Sequence, residues 1–298
     1  MTPDTGIKSG LHHQVRLNQA AIAKKFTLNV IRYIAGIIIS VITIFPLYWM
    51  FVSSFKSQSE ILLSVPTFWP AEWHWENYSN VFRRANFGRY YYNTIMMTLG
   101  ILILQVVTGI LAAYGFSKAK FKGQNVLFII VLGAMMIPFQ VTFISIYRMV
   151  ARWGIVDTYW AVVLPEAVSA YFIFMVRQNF MAVDDSYIDA AKIDGMGTLR
   201  IITRVMVPMC KASISTIVLV TITTGWNNYF WPRIVIKTEA KQVLTVGLAR
   251  LRNTFAGMET MNNHEIMAGA VMSVLPVVIL FFLFQKYMLT GFSKAAMK

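Results

Sequence analysis

The sequence predicts an all-α membrane protein, a bundle of six transmembrane helices with one long polar loop on the cytoplasmic side. Three observations lead there. Hydrophobic residues make up 57% of the 298 and charged residues only 13%, where a soluble domain carries about a quarter charged. So few charges cannot solvate a globular surface. The apolar residues gather into six stretches close to the ~20 residues that a bilayer crossing needs, at 34–52, 94–116, 126–147, 160–176, 213–230 and 266–287. The basic residues behind the net charge of +14 fall between those stretches. Cytoplasmic loops of membrane proteins collect Lys and Arg in this way, whereas a nucleic-acid binder concentrates them on one solvated face.

Each element follows in order. Residues 1–25 read as a polar cytoplasmic tail without a cleavage site, and adjacent His12 and His13 there are not a metal pair. The loop after the first span, 55–89, carries Trp69, Trp73, Trp75 and Tyr78 and ends before Tyr90, Tyr91 and Tyr92. Such rings suit an external headgroup boundary. The short loop 117–124 holds Lys118, Lys120 and Lys122 and no acid, which assigns it to the cytoplasm. With six crossings both termini then share that side. The fourth and fifth spans are short and need their polar flanks. Pro46, Pro138, Pro165 and Pro276 each fall within a span and are expected to kink it. The resulting organisation is a tail at 1–25, a permease-like domain at 26–290 and a second cytoplasmic tail at 291–298.

Enzymatic constellations are missing. There is no H-E-x-x-H, no G-x-S-x-G and no cysteine cluster. The lone Cys210 is expected to be a small buried residue. Adjacent Asp184 and Asp185 on a helix point in different directions and cannot flank one bond. The spans are nearly free of ionisable groups, with Glu166, Arg177 and Glu265 read as lying near helix ends. Ion-coupled carriers place carboxylates or broken helices near mid-depth, so an ATP-independent carrier is the remote alternative. No G-x-x-x-x-G-K-[ST] occurs, so ATP and Mg would have to be held by another subunit, and no cofactor is expected on this chain.

The segment 182–208, AVDDSYIDAAKIDGMGTLRIITRVMVP, is the one extended cytoplasmic stretch. Asp184, Asp185 or Ser186 can cap a short helix with Ile188, Ala191 and Ile193 on its buried side. Gly195 and Gly197 permit a reversal. Leu199, Ile202 and 205–207 form a second apolar face, and Pro208 opens the next span. The pattern fits a helix–turn–helix inserted in a partner's groove, or a plain interhelical loop. Asp189-Ala190-Ala191, then Asp194-Gly195, then Val205-x-Val207-Pro208 resembles, interval for interval, the signature loop of ABC importer permeases. Its flanks are similar to those of the carbohydrate-uptake, maltose-type class. Further stretches agree with that class: Asn77-Tyr78 with Phe82, the run 112–116, Met136-Ile137-Pro138, the run 225–232 from Gly225 to Pro232, and 267–270 leading to Pro276. Two departures stand out. Asp189 replaces the usual Glu, and Asn228 stands where many relatives carry an acid.

The resemblance implies a type I importer in the bacterial inner membrane. In it this chain pairs with a homologous permease, two cytoplasmic ABC ATPases dock below, and an extracytoplasmic solute-binding protein delivers a sugar or oligosaccharide. The loop would be a coupling helix, with Asp189 meeting a basic ATPase residue and Ala190 and Ala191 allowing close approach. Asp194, Gly195 and Pro208 complete the motif. Trp226, Asn227, Asn228 and Tyr229 are the expected lining of the sugar path, because rings stack on sugar faces and amides bond hydroxyls. Trp231 is expected in the interfacial belt. The loop 233–264, with Arg233, Lys237, Lys241, Arg250 and Arg252, is expected to meet the binding protein. Its cations leave an acidic sugar, a glycerol phosphodiester or a polyol as alternative cargo. Membrane lipid is the remaining partner; nucleic acid is not one.

Overall fold

The computed structural model describes residues 5–84, 86–256 and 263–296, with side chains described over 25–83, 86–251 and 263–285. No strand occurs among the described residues. The helices are α1 (Thr5–Ser53), α2 (Gln58–Ile61), α3 (Glu76–Arg84), α4 (Phe87–Lys118), α5 (Gln124–Met135), α6 (Phe139–Arg152), α7 (Tyr159–Val163), α8 (Ala170–Met181), α9 (Asp185–Ile193) and α10 (Thr198–Ile201). A π-helical turn (Ile202–Met206) then leads to α11 (Val207–Met209), α12 (Lys211–Trp226), α13 (Phe230–Val235), α14 (Leu244–Ala256) and α15 (Asn263–Ala296). Thus α1 reaches back through the stretch read as a tail.

Three of these are long and apolar enough to cross a bilayer unaided: Lys25–Ser53 within α1, α4, and Asn263–Gln285 within α15. The third predicted span is bent by 101° between α5 and α6, at Met136-Ile137-Pro138. The fourth is two helices, because Pro165 cannot donate to the ladder and α7 ends ahead of it. At 12 residues α8 is about 18 Å long, short of a crossing by itself. The fifth, α12, stops at Trp226 and resumes as α13 after Asn227–Tyr229. Six continuous helices are therefore not what the chain forms. Of the four prolines, Pro46 and Pro276 stay inside continuous helices, while Pro138 and Pro165 mark breaks.

α4 is the central helix, packed on α8 and α12, and α12 in turn packs on α15. Glycine makes the first contact possible. A Cβ on Gly109 would lie 2.3 Å from the Phe172 ring of α8, and small residues are what let membrane helices approach this closely. The loop 55–75 folds over the end of α1 on a ring cluster. Phe55 has Trp75, Trp73 and Tyr78 at 4.7, 4.9 and 5.1 Å, and Asn77 donates to the carbonyls of Ser54 and Lys56 at 2.9 and 3.0 Å. This is the physical role of the Asn77-Tyr78 pair. Phe55 is buried within this cluster. The chain's outer apolar surface, such as Ile34, Ile38 and Ile42 on α1 or Ile129 and Ile130 on α5, is exposed, as expected where lipid is the solvent.

Candidate functional site

Two regions carry functional geometry: the loop 182–208 and a cavity at the break between α7 and α8. The loop is a built structure. Asp184 caps α9, its carboxylate accepting from Ser186 N at 2.8 Å, and that bond holds its carboxyl below the ordinary carboxylate range. Gly195, at φ +75°, ends α9 in a Schellman turn. Met196 N donates to Ala191 O and Gly195 N to Lys192 O, both at 2.9 Å. That is why a glycine stands at that position. Ahead of Pro208, which has no N–H to give, the ladder slips into the π-helical turn, and the arm from Thr198 to Met209 meets α12 at 90°.

The loop is also anchored. Ile188, Ala191, Ile201 and Met206 are buried in one cluster with Ala113 of α4 and Phe172, Val176 and Phe180 of α8. Lys118, at the end of α4, donates to Val183 O and to Asp185 Oδ1, each at 2.6 Å. Its side chain is 8% exposed against 69% for Asp185, and its hydrogen bond, with its charge, holds the Asp185 carboxyl below the ordinary carboxylate range. Arg177 Nε donates to Phe116 O at 2.8 Å and its guanidinium lies 3.9 Å from the Phe128 ring.

Opposite this anchored side the loop presents apolar groups to the outside. Tyr187 is 54% exposed, Leu199 67% and Ile193 87%, so the expected burial of Ile193 is corrected: α9 buries Ile188 and Ala191 and turns Ile193 outward. Ala190 and Asp189 lie on the exposed side, Ala191 in the chain's own core. Asp189 pairs with Lys192 at 3.0 Å, both largely exposed, and raises the lysine's pKa. An exposed pair of this kind is screened by solvent and contributes little, so it exchanges readily. Asp194 is the C-cap of α9. Cys210, buried as expected, sits at the corner with Sγ 3.6 Å from Asn179 O.

At the break, Thr158 and Ser169 cap α7 and α8 through Ala161 N and Phe172 N at 3.3 and 3.2 Å. The carbonyls freed between them are taken by α4. Gln105 Nε2 donates to Glu166 O at 2.7 Å and Thr108 Oγ1 to Ala167 O at 2.9 Å. Irregular backbone within a membrane needs such partners or a wet cavity, and here it has the partners. A cavity of about 480 Å³ opens among Gln105, Glu166, Thr221, Thr224 and Asn228. A second of about 560 Å³ adjoins it, sharing Glu166, Thr224 and Asn228 and adding Gln140, Asn227 and Tyr229. Glu166 therefore lies, as expected, near helix ends, but these are the two ends that face each other across the break inside the fourth predicted span.

The expected path residues separate. Asn227, Asn228 and Tyr229 line the second cavity. Trp226 is buried behind them, Nε1 donating to Ser273 O at 3.0 Å and its ring 5.9 Å from Tyr91. Trp231 is not in a belt: it is 1% exposed, with Nε1 donating to Ala161 O at 2.9 Å. The cations of 233–264 are largely spoken for. Arg233 donates to Tyr229 Oη at 2.7 Å, Lys237 lies 5.9 Å from the Tyr147 ring, and Lys241 pairs with Asp157 at 3.2 Å. Asp157 also accepts from Lys237 N, Thr238 N and Thr238 Oγ1 at 2.8, 2.9 and 2.6 Å. Desolvation opposes its ionisation, but these bonds win and hold its carboxyl far below the usual range. Arg252 lies outside the described side chains.

Comparison with known proteins agrees with this geometry. Residues 105–294 match the family described as binding-protein-dependent transport system inner membrane component. The chain is 30% identical to an arabinooligosaccharides transport system permease protein of Halalkalibacterium halodurans over 87% of its own length and 93% of that protein's. It is 28% identical to the sn-glycerol-3-phosphate transport system permease protein of Yersinia pestis bv. Antiqua, covering 89% and 95%. A chain of a bacterial ABC transporter that imports the acidic polysaccharide alginate superposes with a TM-score of 0.77 at 25% identity, over 87% of this chain and 96% of that one. The protein with the loop at 182–208 is thus a member of the binding-protein-dependent transport system inner membrane component family, the multi-pass permeases of ABC importers.

Proposed function

We propose that this chain is the non-catalytic half-channel of an ATP-driven importer for a sugar or oligosaccharide, pairing with a homologous permease. Two ABC ATPases hold ATP and Mg and dock on the loop 182–208, and an extracytoplasmic binding protein presents the solute to the opposite end. Both termini lie in the cytoplasm, and six crossings result when α5–α6 and α7–α8 each count as one. The observation that carries the reading is the exposed apolar trio Tyr187, Ile193 and Leu199 on a loop otherwise locked to α4 and α8. Apolar groups held out on a rigid polar loop suit insertion in a partner's groove. Asp189, already loosely paired, is free to meet a basic ATPase residue.

The solute passes along the cavities at the α7–α8 break, where Asn227, Asn228 and Tyr229 offer amides and a ring and Trp226 braces them from behind. Motion of the loop reaches these cavities through α4 and α8, which bound both regions. The test is affinity purification of the tagged chain with its partners from mild detergent, for the wild type and for Ile193→Asp with Leu199→Asp. The wild type should bring down a second permease and an ATPase whose turnover rises with loaded binding protein. The double variant should keep the permease and lose the ATPase. Full ATPase recovery by the variant refutes the docking assignment, and a chain purified alone that moves solute without ATP refutes the importer reading.

A further inference from the structure

The two adjoining cavities have one acidic side chain between them. Among the described residues that line them, Glu166 is the single ionisable acid, and no Lys, Arg or His takes part. Glu166 lines both, and its own main chain is fixed by the Gln105 bond to its carbonyl at 2.7 Å. The other polar groups around it are uncharged: Gln140, Thr224, Asn227 and Asn228. None of the nearby arginines lines either cavity. Arg148 and Arg152 line a separate hollow on α6 with Ser145 and Trp153, Arg177 is stacked on Phe128 at the other end, and Arg233 is engaged by the hydroxyl of Tyr229, which borders the second cavity. An ionised carboxylate in a cavity lined by no cation repels an anion, yet it is a good acceptor for hydroxyl groups.

We infer that Glu166 is a specificity-determining residue that makes this chain's half of the path anion-rejecting, so that the solute is uncharged and rich in hydroxyls rather than a uronate or a phosphate ester. The inference rests on the assignment of these cavities to the solute path, and it selects among cargoes that the family resemblance leaves open. In the path, Glu166 accepts from hydroxyls while Asn227 and Asn228 both donate and accept. Passage of a phosphate or uronate would bring two negative charges together in cavities that no cation of this chain lines.

The charge at the cavity can be read without knowing the solute. The whole importer, carrying Asn228→Cys in a Cys210→Ala background, is placed in nanodiscs. It is treated with 2-(trimethylammonium)ethyl or 2-sulfonatoethyl methanethiosulfonate, and modification of this chain is followed by intact mass. The ratio of cationic to anionic rates should exceed that of a free small thiol by about tenfold or more, and adding Glu166→Gln should return it toward the free-thiol value. Modification by both reagents at the free-thiol ratio, with and without Glu166→Gln, overturns the role of Glu166 and leaves the path assignment standing. No modification by either reagent overturns the path assignment and this inference with it. A wild-type importer that takes up a uronate oligosaccharide or glycerol 3-phosphate overturns the conclusion about cargo directly.

Discussion

Replacing Lys118 by Met tests how the loop is joined to the spans. The side chain keeps its length and stays buried, but the donor is lost. Two bonds of 2.6 Å disappear, and they are not equal. The bond to Asp185 reaches a carboxylate that is 69% exposed, and solvent takes over there at little cost. The bond to Val183 O is a charged donor on a carbonyl within the cluster, worth about 1.5–3 kcal/mol. Lys118→Met should therefore loosen the start of α9 by about 1.5–3 kcal/mol, a roughly 12- to 150-fold rise in local opening. Asp185→Asn, which spares the carbonyl bond, should give less than about fivefold. Hydrogen exchange of the 185–191 amides in the nanodisc complex measures both, and solute moved per ATP should fall for Lys118→Met alone. Equal effects from the two substitutions would refute the carbonyl anchor.

Other outcomes follow from equally local geometry. Gly109→Ala puts a methyl 2.3 Å from the Phe172 ring and should destabilise the α4–α8 crossing by about 1–3 kcal/mol, seen as a lower melting temperature of the purified complex and partly restored by Phe172→Leu. Asp157→Asn should loosen the contact between 153–159 and 236–242. Because the folded carboxyl is depressed, its stabilisation is present above the unfolded pKa of about 3.9 and is lost as pH falls below that, so wild type and variant should converge in thermal stability at acid pH. Asn228→Ala should lower uptake while leaving assembly with the second permease unchanged, as judged by co-purification. Trp226→Phe removes the bond to Ser273 O and should cost about 1 kcal/mol of stability with little change in solute preference.

The sequence spoke clearly where a residue answers to backbone geometry. Gly195 had to follow α9 because a Schellman turn needs a left-handed residue there, and Asp184 had to precede it as a cap. Six apolar stretches were visible, but their continuity was not. An apolar run looks the same whether it is one helix or two, and only the local marks Pro165 and Ser169 betray the break that frees the Glu166 and Ala167 carbonyls. Reading apolar as buried misplaced Ile193, since a docking face is apolar and exposed before its partner arrives. The same rule in reverse misplaced Trp231, whose indole N–H finds Ala161 O inside the chain. Rings counted as a headgroup belt in 55–78 largely serve to clasp Phe55. Partners of that kind are three-dimensional, and spacing along the chain does not reveal them.

The central claim is that the loop 182–208 is where an ATPase drives this permease. It is tested most directly by a photo-crosslinking amino acid at position 193, in the importer purified by a tag on this chain, with and without ATP. The account predicts a cross-link to an ABC ATPase subunit that changes in yield when ATP is bound. Cross-links confined to lipid or to this chain itself, in an importer that still hydrolyses ATP in response to loaded binding protein, would contradict it.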